Sequence, residues 1–146
     1  SEVISNTAVI TTNTSGMSIN LLSRSVKWPE RFIGMHWFNP PHLVPLIEII
    51  KGEKTREDVA QTVYDLSLKI GKKPVLVNRD IPGFAANRLQ FAILREALAL
   101  VAQGVVSAEG IDDVMKYGLG FRYACLGPLE VADLAVWTPS PISAAI

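Results

Sequence analysis

The stretch Arg31 to Ile50, RFIGMHWFNPPHLVPLIEII, decides how this chain is read. A β-rich apolar run, Phe32-Ile33-Gly34-Met35, delivers His36 to its end. Trp37-Phe38-Asn39-Pro40-Pro41 turns the chain, and a second apolar run, Leu43 to Ile50, carries one carboxylate, Glu48. An acid inside Leu-Ile-Glu-Ile-Ile is costly to bury unless something pairs with it. His36 is the other isolated polar group of the stretch, and two strands joined by a turn can set the two side by side. A histidine held by a carboxylate has a fixed tautomer and can serve as a general base.

Working outward, Thr7 to Thr12 (TAVITT) predicts a buried strand and Asn13-Thr14-Ser15-Gly16 a polar turn. Ser18 predicts the cap of a short helix through Ile19, Leu21 and Leu22 that ends at Trp28-Pro29. Lys51-Gly52 is a turn. Thr55 is the expected N-cap of a helix to about Ile70, with Val59, Val63, Leu66 and Ile70 on one face and Gly71 closing it. Lys73 to Asn78 predicts another strand. After Asp80-Ile81-Pro82-Gly83 no strand pattern follows. Phe84 to Val101 predicts a long helix, apolar on nearly all sides, of the kind central to a core or buried in a subunit contact. Ser107 caps a third helix that Gly118 is expected to stop. The fold expectation is α/β over residues 1–80 followed by all-α over 81–146, two domains meeting near Pro82-Gly83.

Composition narrows the function classes. The formal net charge is zero, which argues against a nucleic-acid partner. The single cysteine, Cys125, excludes an intrachain disulfide and a cysteine metal cluster, and reads as a small buried hydrophobe in a reducing, cytoplasmic setting. No apolar run is long enough to span a bilayer. No metal ligand set is expected.

Four blocks go further. TTNTSGMSI (Thr11–Ile19), GMHWFNPPHLVPLIEII (Gly34–Ile50), NRDIPGFAANRL (Asn78–Leu89) and GLGFRYACLGPLEVADL (Gly118–Leu134) stand in an order and spacing that resemble the L-3-hydroxyacyl-CoA dehydrogenase family. That resemblance implies an NAD-dependent oxidation of L-3-hydroxyacyl-CoA to 3-oxoacyl-CoA in fatty acid metabolism. It implies the C-terminal half of a Rossmann-type NAD-binding domain, then the start of a helical 6-phosphogluconate-dehydrogenase-like domain that completes the acyl-CoA site and forms a homodimer. His36 matches the family's catalytic base and Glu48, twelve residues on, its carboxylate partner. Ser15 matches the serine near the substrate hydroxyl, and Asn87 the asparagine that opens the helical domain and faces the site. Asn13, Ser15 and Asn39 fall on the nicotinamide side. The chain departs from the pattern twice. No strand with a Gly-rich phosphate loop and ribose-binding acid is found, as in an internal segment lacking the N-terminal half; Gly118-Leu119-Gly120 follows a helix and reads as a helix stop. After Ala135, Val136-Trp137-Thr138-Pro139-Ser140-Pro141 replaces the expected continuation. Pro40-Pro41 also resembles relatives acting on carnitine or sugar acids. The rival reading from another class is a structural or dimerising segment without catalysis of its own.

Overall fold

The computed structural model describes residues 3–136, with side chains through Leu134; the expectation for the tail from Trp137 lies outside the described residues. Four strands form one mixed sheet in sequential order: β1 (Ile10–Thr12), β2 (Phe32–Trp37), β3 (Leu46–Ile50) and β4 (Lys73–Val77). β1 lies parallel to β2, β2 antiparallel to β3, and β3 parallel to β4. Helices α1 (Ile19–Ser23) and α2 (Glu57–Lys69) make the two crossovers. After β4 the chain is helical: α3 (Ala86–Ala102), α4 (Ala108–Val114), a π-helical turn at Met115–Leu119, α5 (Gly120–Tyr123) and α6 (Pro128–Val136). The α/β-then-all-α plan is therefore present. By density of contact the chain falls into two compact units, Ser1–Ala92 and Ile93–Ile146, dividing inside α3.

The sheet unit has two apolar clusters. On one face Ile33, Met35, Ile47 and Ile49 meet Val59, Ala60 and Val63 of α2. On the other Phe32 and Ile50 meet Ile19 of α1 and Phe84. The strands bury both faces, so β2 and β3 read as continuous apolar runs rather than as alternation. Gly34 marks the closest approach of α1: a Cβ there would lie 3.0 Å from Ile19 Cδ1 and 3.0 Å from Ile50 Cβ.

Several local expectations change. β1 is only three residues long and Thr11 is exposed, because β1 is an edge strand and the chain before it is bent. The buried Arg31 guanidinium imposes that bend by donating to the carbonyls of Ser5 and Ala8 at 3.1 and 2.7 Å. Ser18 does cap α1, accepting from Leu21 N–H at 3.1 Å, but α1 stops at Ser23, well before Pro29. The N-cap of α2 is Arg56, not Thr55. The Thr55 hydroxyl is used instead to tie the turn to the sheet: it donates to the Phe32 carbonyl at 2.7 Å and accepts from Gly52 N–H at 2.9 Å. Arg56 also hydrogen-bonds Asp58 and holds that carboxyl below the usual carboxylate range.

The buried stripe of α2 is Val59, Ala60, Val63 and Ser67, while Leu66 and Ile70 are about half exposed. Small Ala60 and Ser67 let the helix lie close to the sheet, and Ser67 is satisfied internally by donating to the Val63 carbonyl at 2.7 Å. Gly71 closes α2 as expected: Gly71 N–H reaches the Leu68 carbonyl and Lys72 N–H the Ser67 carbonyl, both at 2.9 Å. Gly118 does not stop the third helix. The chain runs on through the π-helical turn into α5, where Gly120 packs so tightly that a Cβ would fall 2.6 Å from the Met115 carbonyl oxygen. None of α3's residues is buried, so the expectation of a core helix is not met within this chain. Cys125 is exposed in the turn after α5, not buried.

Candidate active site

The pairing of β2 with β3 sets His36 directly opposite Glu48. Both are almost fully buried, at 3% and 1% exposure. His36 Nδ1 lies 3.0 Å from Glu48 Oε2. The other carboxylate oxygen, Oε1, accepts from the backbone N–H groups of Ala85 and Ala86 at 3.0 and 2.9 Å, where α3 begins. Three hydrogen-bond partners thus surround one buried carboxyl group and occupy both of its oxygens. A helix N-terminus adds a favourable dipole to that charge.

The partners fix the imidazole. An acceptor-only carboxylate requires the proton on Nδ1, which leaves Nε2 with a lone pair. Nε2 faces Ser15 Oγ at 3.1 Å, so the serine hydroxyl donates to it. Ser15 is exposed in the loop after β1, so the basic nitrogen points outward while the carboxylate lies inward. Asn87 Nδ2 donates to the Ser15 carbonyl at 2.8 Å and ties that loop to α3. Asn13 Oδ1 accepts from Trp37 N–H at 2.8 Å and ties the same loop to the end of β2.

His36, Glu48, Ser15 and Asn87 are therefore one hydrogen-bonded chain, with Asn13 beside it. Asn39 is placed differently: it is exposed past the end of β2, in cis linkage to Pro40, and takes no part in these hydrogen bonds. Among the described residues no group of three His, Cys, Asp or Glu side chains could hold a metal ion, and no helix is long and apolar enough to cross a membrane.

Reading the sequence missed two contributors. Phe38, read above only as part of the turn, lies against the imidazole with ring centroids 4.5 Å apart. Phe84 meets it edge-on at 5.7 Å. The signal for Phe84 was present in Pro82-Gly83: a turn that ends in a helix start leaves free amides, and a buried acid is what such amides need.

A polar loop and a base at the carboxyl ends of β1 and β2, in an α/β unit followed by helices, define the edge where dinucleotide-type sheets hold their ligands. Comparison with known proteins agrees. The model of the 3-hydroxyacyl-CoA dehydrogenase NAD binding domain matches residues 1–81, and that of the family's C-terminal domain matches residues 83–138. The chain belongs to the 3-hydroxyacyl-CoA dehydrogenase family. It is 43% identical over 133 residues to 5-formyl-3-hydroxy-2-methylpyridine 4-carboxylate 5-dehydrogenase of Mesorhizobium japonicum, covering 91% of this chain and 43% of that protein. It is 45% identical over 132 residues to the fatty acid oxidation complex subunit alpha of Idiomarina loihiensis, covering 90% of this chain and 18% of that one. A crystal structure of the pyridine-carboxylate dehydrogenase, described as an NAD+-dependent dismutase, superposes with a TM-score of 0.89 at 42% identity, over 92% of this chain and 43% of the other. (S)-3-hydroxybutyryl-CoA dehydrogenase from Ralstonia eutropha does so at 0.76 and 36% identity, over 82% and 42%. The chain thus spans less than half the length of these relatives.

NAD is the nucleotide of this family. The residues present fit its nicotinamide end: the Asn13 amide and Ser15 lie beside the base at the sheet's carboxyl edge, and Asn39 is exposed past the end of β2. A Gly-rich phosphate loop between a strand and a helix is not among these 146 residues, and Gly118-Leu119-Gly120 lies within the π-helical turn and the start of α5.

Proposed function

We propose that His36 is the general base of an NAD-dependent dehydrogenase that oxidises L-3-hydroxyacyl-CoA to 3-oxoacyl-CoA. The observation that carries this reading is the buried contact of Nδ1 with Glu48, which leaves Nε2 outward-facing beside Ser15. When bound, NAD supplies the acceptor for the hydride that leaves the carbinol carbon. The chain's own residues handle the proton. As the carbonyl forms, the hydroxyl proton passes to His36 Nε2, and Glu48 stabilises the imidazolium that results. The Ser15 hydroxyl, 3.1 Å from Nε2, stands within reach of the substrate oxygen and can hold it in line. Asn87 and Asn13 fix the loop that carries Ser15. The helical unit, with its exposed apolar α3, supplies the homodimer contact in this reading.

A second reading concerns the substrate. The similarity to the pyridine-carboxylate dehydrogenase supports a hydrated aromatic aldehyde in place of the thioester. Its hydroxyl would meet the same base, so the dyad serves either compound.

The test is a chimera in which this chain replaces the matching 133-residue stretch of the Mesorhizobium japonicum enzyme, which brings a phosphate-binding half. NADH formation from (S)-3-hydroxybutyryl-CoA, falling about 10²–10⁴-fold in His36→Gln, is expected. Turnover of the formylpyridine carboxylate alone would select the second reading. No turnover of either by the folded chimera would leave a structural segment as the answer.

A further inference from the structure

The start of α3 does more than end the sheet unit. Gly83 and Phe84 both have positive φ, +78° and +49°. Glycine adopts this region freely, but phenylalanine does not, so the backbone at Phe84 is held there against its preference. What holds it is visible. The Phe84 ring is fully buried with Ile19, Phe32 and Ile50, and its edge meets the His36 imidazole. The consequence of the turn lies in the next two residues. Ala85 and Ala86 point their N–H groups at the same oxygen, Glu48 Oε1. An ordinary helical φ at position 84 would send the chain elsewhere and leave a carboxylate at 1% exposure with one partner instead of three.

We infer that Phe84 is a positioning residue for the His36–Glu48 pair, its ring setting the plane of the imidazole and its left-handed backbone aiming two amides at the carboxylate. Its relevance to catalysis rests on the dehydrogenase reading above. One residue thereby acts on both members of the pair, through its side chain on the base and through its main chain on the acid. Phe38 contacts the same ring but comes from the end of β2 and places no donor on Glu48.

The experiment is nuclear magnetic resonance of the histidine side chains in the 146-residue chain, which needs no turnover. In the unmodified chain the His36 nitrogens should show the Nδ1–H tautomer, with a slowly exchanging proton. In Phe84→Leu that proton should exchange at least about tenfold faster and the two tautomers should mix, because local opening exposes the pair. Ile19→Val removes a methyl group from the same apolar cluster without touching His36, and it controls for simple loss of core packing. It should leave the tautomer and the exchange unchanged. Gly83→Ala keeps the Phe84 ring but opposes the turn, and should also speed exchange; it serves where Phe84→Leu does not fold. Equal effects of Phe84→Leu and Ile19→Val, or unchanged exchange in both Phe84→Leu and Gly83→Ala, would overturn the inference. A disordered pair in Phe84→Leu whose chimera keeps full turnover would support the positioning role while removing the dyad from the reaction.

Discussion

Replacing Glu48 by glutamine separates the carboxylate's catalytic part from its structural part. Glutamine keeps the volume and one oxygen, but its amide must choose a direction. With the oxygen toward α3, it still accepts from Ala85 and Ala86 N–H, now at 3.0 and 2.9 Å, and the new NH₂ faces His36 Nδ1. Turned the other way, the NH₂ confronts two amide donors and strands both, at about 1–3 kcal/mol each. The first arrangement wins. It forces Nδ1 to accept, so the imidazole proton moves to Nε2, and an Nε2–H cannot take a proton from a substrate. Turnover should fall about 10³–10⁴-fold, equivalent to about 4–6 kcal/mol of barrier. Stability should change far less. Three charge-assisted hydrogen bonds become neutral ones, a loss of about 1–1.5 kcal/mol each. Against this, the several kcal/mol needed to keep a carboxylate out of water disappears. The net should lie within about 2 kcal/mol of zero. NADH formation by the chimera and thermal unfolding of the same sample measure the two quantities. Turnover within tenfold of the parent, or a protein that no longer folds, would refute the reasoning.

Other substitutions separate the remaining contributions. Ser15→Ala should lower turnover about 10²-fold with unfolding unchanged, as for one lost donor at the reacting oxygen; an unaffected rate would return Ser15 to a turn residue. Gly34→Ala should destabilise by about 1–3 kcal/mol, because its Cβ would meet the branch atom of Ile50 on the neighbouring strand and Ile19 of α1, each at 3.0 Å; an unchanged denaturation midpoint would mean that both β3 and α1 can give way. The 146-residue chain, with no Gly-rich loop for the pyrophosphate, should hold NAD more weakly than about 1 mM by calorimetry, and micromolar binding would reveal a phosphate site elsewhere in it. Leu89, Phe91, Leu94 and Leu98 are all exposed on α3, so the chain should self-associate in light scattering at micromolar concentrations; a monodisperse monomer that binds no apolar dye would contradict this.

The hairpin was legible because its grammar is local. An apolar run, a proline turn and a second apolar run with one embedded acid leave few registers, and the observed register puts His36 opposite Glu48. Ser15 and Asn87 were found only through family resemblance, since their contacts span 21 and 72 residues and no periodicity records them. Caps and stops fared worse wherever a side chain had a better use. Thr55 looks like a cap, but its hydroxyl goes to the Phe32 carbonyl. Gly118 looks like a stop, but the helix widens to a π turn and passes it. Leu66 and Ile70 fit the apolar period of α2, yet small Ala60 and Ser67 carry the contact with the sheet. Pro82-Gly83 marked the turn before Phe84, but the backbone of Phe84 itself could not be read, because positive φ in a bulky residue is set by its surroundings.

Four of the hydrogen bonds of the site differ in how much chain each one must close. His36 and Glu48 are 12 residues apart, His36 and Ser15 are 21, Glu48 and Ala85 are 37, and Ser15 and Asn87 are 72. Loop-closure entropy grows with the logarithm of that separation, so the third contact costs roughly 1 kcal/mol more than the first, and the fourth roughly 1.6 kcal/mol more. The base and its acid meet through the shortest of these loops, inside a hairpin that can form on its own strand pairing. The loop that carries the serine reaches its asparagine only through the longest one. The chain thus places the His36–Glu48 pair in the segment of lowest contact order, and ties the Ser15 loop down by the most distant of these contacts.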